Sequence, residues 1–480
     1  MRVLIDVESL RGAARLFGVF ASGKGYFNER SAYGLLEAKQ GEVVLTLATS
    51  AGGVRMALDA QVEEEGRLGV DLAAFAQFLK PFRGGWSVRL STDFCEQTDE
   101  RFVLVGDFSN GVTGAKHRQE WPINNKTRGG LLFEPEWVPD PRAQTGVLRQ
   151  GRVSLERFTG LIASGLGGYR EGKQELLNAV SLLLGRDQME VCSTNGAALV
   201  QATAWAEEGV ELGLEWEHEP EQLWLSGESL RRAMAFLKAI EGLEELIVSI
   251  SSDEGQPIRL AAANDPEGLW VLVDRCAEGV SVPALLQEAT AATSKVTARI
   301  PTFTTGKGQQ LRGFAEELRV FDAYEAYELA GGARSGGSLL LEFGEAALRL
   351  EVLSELQIGA TSPWEWASPP RGALEGQSGA PLVALDLRLV RDYLEAVLAP
   401  VERDKEAELE LMYSISDEGL ERLLLRTESD MGMRTTALIC PRSHTGRRLA
   451  DSIRSAAPAP TPQETELPAD LKAELEALSA

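Results

Sequence analysis

Residue types that do chemistry are sparse in this chain, and none has the spacing that catalysis requires. The three histidines, His117, His218 and His444, sit in unrelated contexts. There is no GxSxG, no HExxH, no paired CxxC and no glycine fingerprint after a strand, so serine hydrolases, zinc proteases and dinucleotide clefts lack their signatures. Cys95, Cys192, Cys276 and Cys440 lie far apart, which suggests neither a disulfide framework nor a metal site. Acidic neighbours such as Asp253 and Glu254 fall in turn-like stretches and read as solvated hairpin residues. Neither catalysis, a metal nor a cofactor is expected.

What remains is charge, and its arrangement suits contact with phosphates. Arg11 and Arg15, Arg231 and Lys238, Arg312 and Arg319, and Arg388 and Arg391 are spaced so as to share helix faces beside apolar stripes, and Arg232, next to Arg231, is a further candidate. Six candidate helices (8–20, 71–83, 154–170, 227–241, 307–324 and 386–403) together carry +3, whereas the whole chain carries −24, so the remainder carries −27. Such a surface binds nucleic acid without reading its sequence. Ordinary solvated helix faces are the competing reading for any one pair, and Glu316, Glu317, Asp392 and Glu395 dilute the last two helices. Lys24, in GKGYF, is flanked by glycines but lacks the spacing of a phosphate loop. The acidity elsewhere argues against a general basic coat and favours solubility.

The elements that must carry these residues recur. SISSDEG (Ser249 to Gly255) returns as SISDEG at Ser414 to Gly419. Each copy lies between two alternating strands and follows a helix, with Leu230, Met234 and Leu237 on the first helix and Leu389, Tyr393 and Val397 on the second. A weaker third copy has Leu72, Phe75 and Leu79 at the same spacing. Upstream, ESLRGAARLFGVF, SLERFTGLIASGL and QQLRGFAEELRVF are three amphipathic helices, each followed by an apolar hairpin. The unit helix, hairpin, further strands, helix, hairpin therefore occurs three times, starting near residues 1, 152 and 299. The implied fold class is α+β, three tandem copies of one domain. We cut the chain into units 1–125, 151–280 and 299–445, linkers 126–150 and 281–298, and a Pro/Ala-rich tail 446–480 ending in a short helix with Leu471, Leu475 and Leu478 on one side.

At 480 residues the length fits about three domains. No run of 18 apolar residues exists, and MRVLIDVESL places acidic residues where a signal peptide needs an apolar core. A cytoplasmic location without membrane contact is expected.

Three repeats of this type in an acidic chain resemble the bacterial DNA polymerase III β subunit, the sliding clamp. MRVLIDVESLRGAARLFG is similar to that family's first strand and helix. EVCSTNGAAL (Glu190 to Leu199) stands where the family has a threonine-aspartate-glycine-histidine-arginine-leucine motif, and RTTALICPRSH (Arg434 to His444) looks like its closing strand. The resemblance implies a non-catalytic homodimeric ring of six DNA clamp domains around duplex DNA, with helices lining the hole. It also implies basic loop contacts near Lys24, and tethering of DNA polymerase and clamp loader by a short apolar peptide. For the peptide pocket it implies Leu177, Thr194, Gly196, Leu199, Pro283, Leu389, Leu438, Cys440 and Pro441; core packing between two units is the competing reading. Asn195, Ala197 and Ala198 depart from the motif, as do Gln287 and Glu288 from the linker pattern. These departures and the added tail keep a second reading open, a clamp-fold paralogue acting as an interaction scaffold.

Overall fold

The computed structural model describes residues 1–21, 33–39, 41–49, 52–94, 102–122, 132–133, 146–170, 175–196, 198–206, 213–283, 286, 294–301, 338–343, 347–353, 358–360, 364–365, 368–371, 382–386, 408–415, 421–429 and 432–439. The expected third-unit helices at 307–324 and 386–403, and most of the second SxxDEG-like turn, lie outside them.

The first stretch runs β1 (Arg2–Asp6), α1 (Val7–Ala21), β2 (Tyr33–Lys39), β3 (Glu42–Thr49), β4 (Gly52–Glu64), β5 (Gly66–Asp71), α2 (Leu72–Leu79), β6 (Trp86–Phe94), β7 (Phe102–Asn110) and β8 (Lys116–Pro122), then a short β9 (Leu132–Phe133). The second repeats it: β10 (Leu148–Ser154), α3 (Leu155–Gly165), β11 (Ala179–Leu184), β12 (Gln188–Thr194), β13 (Ala198–Trp205), β14 (Leu214–Glu215), β15 (Glu221–Ser226), α4 (Gly227–Lys238), β16 (Glu245–Ser251), β17 (Ile258–Ala262) and β18 (Leu269–Val273). The third contributes β19 (Ser294–Pro301), β20 (Ser338–Phe343), β21 (Ala347–Leu353), β22 (Ile358–Ala360), β23 (Trp364–Glu365), β24 (Ser368–Arg371), β25 (Leu382–Asp386), β26 (Glu408–Ile415), β27 (Glu421–Ser429) and β28 (Met433–Ile439).

Local chemistry explains the recurrent strand-to-helix corner. The helices α1 to α4 each follow directly on a strand whose last residue is Asp6, Asp71, Ser154 or Ser226, types that favour a helix start. Asp6 accepts from the Ser9 amide at 2.8 Å, and the Ser226 hydroxyl accepts from the Ser229 amide at 3.3 Å. Beyond the cap, α1 buries Val7, Leu10, Ala13, Ala14, Phe17, Phe20 and Ala21, a single face at helical spacing. α4 buries Leu230, Ala233, Met234, Phe236 and Leu237 in the same way. In the β16–β17 turn, the Ser251 hydroxyl accepts from the Asp253 amide at 3.0 Å, and Gly255 takes φ +78.

The pairing scheme is also threefold. β1 pairs β6, β10 pairs β16 and β19 pairs β26. β2 lies between β3 and β5, β11 between β12 and β15, and β20 between β21 and β25. All of these pairs are antiparallel. The units are joined by one rule: the last strand of a unit pairs with the fourth strand of the unit before it. β18 meets β4 over four residue pairs, Leu269–Met56 to Leu272–Gly53. β28 meets β13 over seven, Ala198–Ile439 to Ala204–Met433.

The stretch read as the first linker is partly built in. β9 adds to the edge of β5, with Gly69 opposite Phe133, and β10 begins at Leu148. After the second unit, Arg275 bridges to Leu225 on the edge of β15 in a comparable position. Covering an exposed strand edge with the next piece of chain satisfies its backbone groups and blocks unwanted pairing. Local hydropathy reads such a segment as a linker because its two paired residues are too few to alternate.

A buried core runs without a break from unit 1 into unit 2. At its centre Phe17 and Phe20 of α1 meet Phe236 of α4 edge-on, with ring centroids 6.0 and 6.2 Å apart. The sheet joint closes beside them. The Asp274 amide donates to Ser229 Oγ at 3.0 Å, and the Asp274 carbonyl accepts from the Ser226 amide at 2.9 Å. Burial raises the Asp274 carboxyl from its ordinary value to about 6. An acid held above its unfolded value contributes fully when protonated, and that contribution is lost as pH climbs through the folded value. The stability difference between wild type and Asp274→Asn should therefore change by roughly 2–3 kcal/mol between pH 4 and pH 7, with wild type losing ground as pH rises. Urea midpoints across that range test it, and parallel curves for the two proteins would refute it.

Candidate functional site

Two surfaces gather the candidate residues. The first is a layer of helices packed side by side in the order α2, α1, α4, α3. On α1, Arg15 is exposed, and the flanking Gly12 and Gly18 leave it unobstructed, since a Cβ at either position would meet nothing within 4 Å. On α4, Arg231 and Lys238 are exposed. Arg231 is held between Glu228 at 3.5 Å and the Tyr169 ring at 4.8 Å, so its guanidinium is oriented while staying accessible. Partial desolvation lowers the Lys238 ammonium from its ordinary value.

Arg11 and Arg232 are used differently. Arg11 donates to the Phe82 carbonyl at 3.2 Å and to Glu8 at 3.3 Å, tying α1 to the end of α2. Arg232 is 13% exposed and donates to Glu228 at 2.8 Å. Both brace the helix layer rather than present charge. Lys80 and Arg83, just beyond α2, are exposed at the same layer and belong with the outward charges. Their signal was the basic end of the 71–83 helix, counted in its charge but not singled out. Lys24, Arg312, Arg319, Arg388 and Arg391 lie outside the described residues.

The second surface is apolar and sits where unit 2 meets unit 3. Leu199 and Leu438 face each other across the β13–β28 joint, and Leu424 pairs with Leu438 on the far side. These leucines pack with Cys192, Val282 and Leu286 into a cluster separate from the main core. The cluster extends along the β12–β13 turn. Thr194 is buried, donates its hydroxyl to the Ala198 carbonyl at 2.8 Å and accepts from the Gly196 amide at 3.1 Å. Asn195 Oδ1 accepts from the Ala198 amide at 2.9 Å, which closes the turn without the family's aspartate. Gly196, at φ +83, is exposed, and a Cβ there would lie 3.6 Å from Leu177. Leu177 is half-buried and its neighbour Leu176 is 47% exposed, so the rim of the cluster is open and greasy.

The structure thus brings Leu177, Thr194, Gly196, Leu199 and Leu438 to one joint, with Pro283 adjacent to buried Val282. Thr194 and Leu438 are themselves buried and form the floor. Leu389, Cys440 and Pro441 lie outside the described residues. Cys192, Val282, Leu286 and Leu424 were missed, although the linker leucine and the alternation of β27 carried a signal. The Cys192 thiol is pushed above its ordinary value by burial and by Glu190, which suits an apolar wall and not a nucleophile. Among the described residues, no group of three or more His, Cys, Asp or Glu side chains is placed to hold a metal. No helix among them is long and apolar enough to cross a membrane.

No protein-family model and no curated protein matches the sequence. Solved structures do. The DNA polymerase III β subunit of Thermotoga maritima superposes with a TM-score of 0.64 at 15% identity, over 92% of this chain and 98% of that one. The β chain of Streptococcus pneumoniae gives 0.66 at 11% identity, over 92% and 99%. The Helicobacter pylori β clamp bound to a DNA ligase peptide gives 0.61 at 11%, over 92% and 100%. This chain has the sliding-clamp fold. The threefold pairing scheme is that of three tandem clamp domains, and both candidate surfaces follow from it. In this chain the four described helices α1 to α4 form one layer, and the apolar cluster lies where β28 joins β13.

Proposed function

We propose that the protein is a DNA sliding clamp: two copies, head to tail, close a ring around duplex DNA and tether a polymerase by its apolar peptide. The reading takes the units as 1–125, 151–280 and 299–445, and assigns no catalytic role to any residue. It places the protein in the cytoplasm. The joint rule is the observation that carries it. β18 adds to β4 and β28 adds to β13, while β8 ends one sheet and β22, the fourth strand of unit 3, ends another. Applying the same rule between two copies pairs β8 of one with β22 of the next, and a second such contact closes the ring. The outward Arg15, Arg231 and Lys238 then supply phosphate contacts that slide because they read no bases.

Sedimentation of the purified protein, alone and with nicked circular DNA plus a clamp loader, tests this. The expected result is a species of twice 52.0 kDa that stays on the circle and leaves when it is linearised. Monomer at micromolar concentration with no retention would overturn it. Arg15→Ala and Arg231→Ala should each flatten the log–log salt dependence of DNA binding by about 0.9.

The alanines at 197 and 198, in place of the family's histidine and arginine, favour a second reading, a clamp-fold scaffold that does not serve replication. Loading on the nicked circle separates the two, with the ligase peptide of the Helicobacter pylori complex as the probe of the apolar seam. A dimer that never loads on DNA yet binds that peptide at Leu177 would be a scaffold.

A further inference from the structure

The apolar seam lies where the chain itself continues. Leu438, in its floor, is one residue from the end of β28, and the sequence then runs through a Pro/Ala/Thr stretch into ELPADLKAELEALSA. In that segment Leu467, Leu471, Leu475 and Leu478 recur at intervals of four, four and three, the spacing of one helical face, with Pro468 suited to a helix's first turn. The other positions are mostly acidic or small: Glu464, Glu466, Asp470, Glu474 and Glu476 against the single Lys472. A leucine face this regular buries little on its own, and it is tethered beside a surface that offers half-buried Leu177 and exposed Leu176 next to the bare backbone of Gly196.

We infer that this groove is occupied by the chain's own Leu467–Leu478 segment, so that an external peptide must compete with it. The inference rests on reading the groove as a peptide site. Residues 440–466 would serve as the tether, with a root-mean-square span of about 30 Å for a flexible linker of that length, long enough to return to a groove whose floor residue Leu438 is two residues from the tether's origin. Tethering on this scale gives an effective concentration of about 1 mM. A segment that binds in trans with a Kd of only ~0.1 mM would therefore weaken an external competitor about tenfold. Weak intrinsic binding is enough for regulation, because a tight partner peptide displaces the segment and a weak one does not.

The experiment uses the full chain and a fluorescein-labelled synthetic peptide of residues 464–480. Fluorescence anisotropy compares wild type with Leu471→Ser/Leu475→Ser/Leu478→Ser, in which the tethered face is disabled. The variant should bind the labelled peptide about tenfold more tightly than wild type does, and adding Leu177→Ser should abolish that binding. Leu176→Asp, at a more exposed rim position, gives the same loss if Leu177→Ser proves unstable. Equal affinity for wild type and variant, with the ligase peptide still bound by both, removes the tail from the groove and leaves the site intact. Failure of both peptides to bind either protein removes the site reading itself. A wild-type deficit that grows with protein concentration puts the segment in a second copy's groove and overturns the intrachain form.

Discussion

Phe236→Ala should cost about 3–5 kcal/mol, the range for truncating a fully buried aromatic ring. The ring has no exposed surface and lies edge-on to Phe17 and Phe20, which are equally buried. Edge-to-face contacts add about 0.5–1.5 kcal/mol each beyond the area they bury. Phe236 belongs to α4 and its two partners to α1, so the cavity opens between units rather than within one. The loss should therefore appear as a separation of the unfolding of the two units in urea, where their continuous core predicts that wild type unfolds them together, because the units lose part of what couples them. Phe236→Leu, which keeps most of the volume, should cost less than half as much. A single undivided transition shifted by under 1 kcal/mol would show that the aromatic triad does not couple the units.

Gly52→Ala is the second large effect, at roughly 2–4 kcal/mol from backbone strain and steric displacement together. Gly52 has φ +114, and a Cβ there would lie 2.2 Å from the Leu272 carbonyl oxygen and 3.0 Å from Ser229 Oγ. Its neighbour Gly53 is the first β4 residue in the four-pair joint with β18. The side chain would have to push β18 away or rotate Gly52 out of its positive-φ conformation. Gly41→Ala is the control. Gly41 has φ +87 but open space around the Cβ position, so it should show only the conformational cost of about 1–2 kcal/mol. If both glycines cost the same, close approach at the joint contributes nothing. Denaturant midpoints of the two variants decide it.

The repeat was legible because its signals are local. Cap residues such as Asp6 and Ser226, the apolar face of α1 and the alternation of β16 are each written within a dozen residues. Which strand joins which unit was not legible, because β4 and β18 meet through backbone groups that every residue carries, and their side chains record only burial. The same limit explains the arginines. Arg11 and Arg15 look alike in sequence, but only the fold places the Phe82 carbonyl within reach of one and leaves the other between two open glycines. For the apolar seam, the positions taken from the family resemblance included Leu199 and Leu438, whereas Val282, Leu286 and Leu424 emerged only when three distant segments met.

The joints also set a timetable for synthesis. Leu269 is made 213 residues after Met56, with which it pairs. At about 5–20 residues per second, the free side of β4 waits for β18 for roughly 10–40 s on the ribosome. β13 waits a little longer for β28, since Ala198 and Ile439 are 241 residues apart. Throughout that interval a nascent chain displays an open, partly apolar strand edge beside other nascent chains of the same message, of which those further along already carry the complementary strand. Any exchange between neighbouring chains would fall in that interval, and slower elongation before residue 269 would lengthen the exposure.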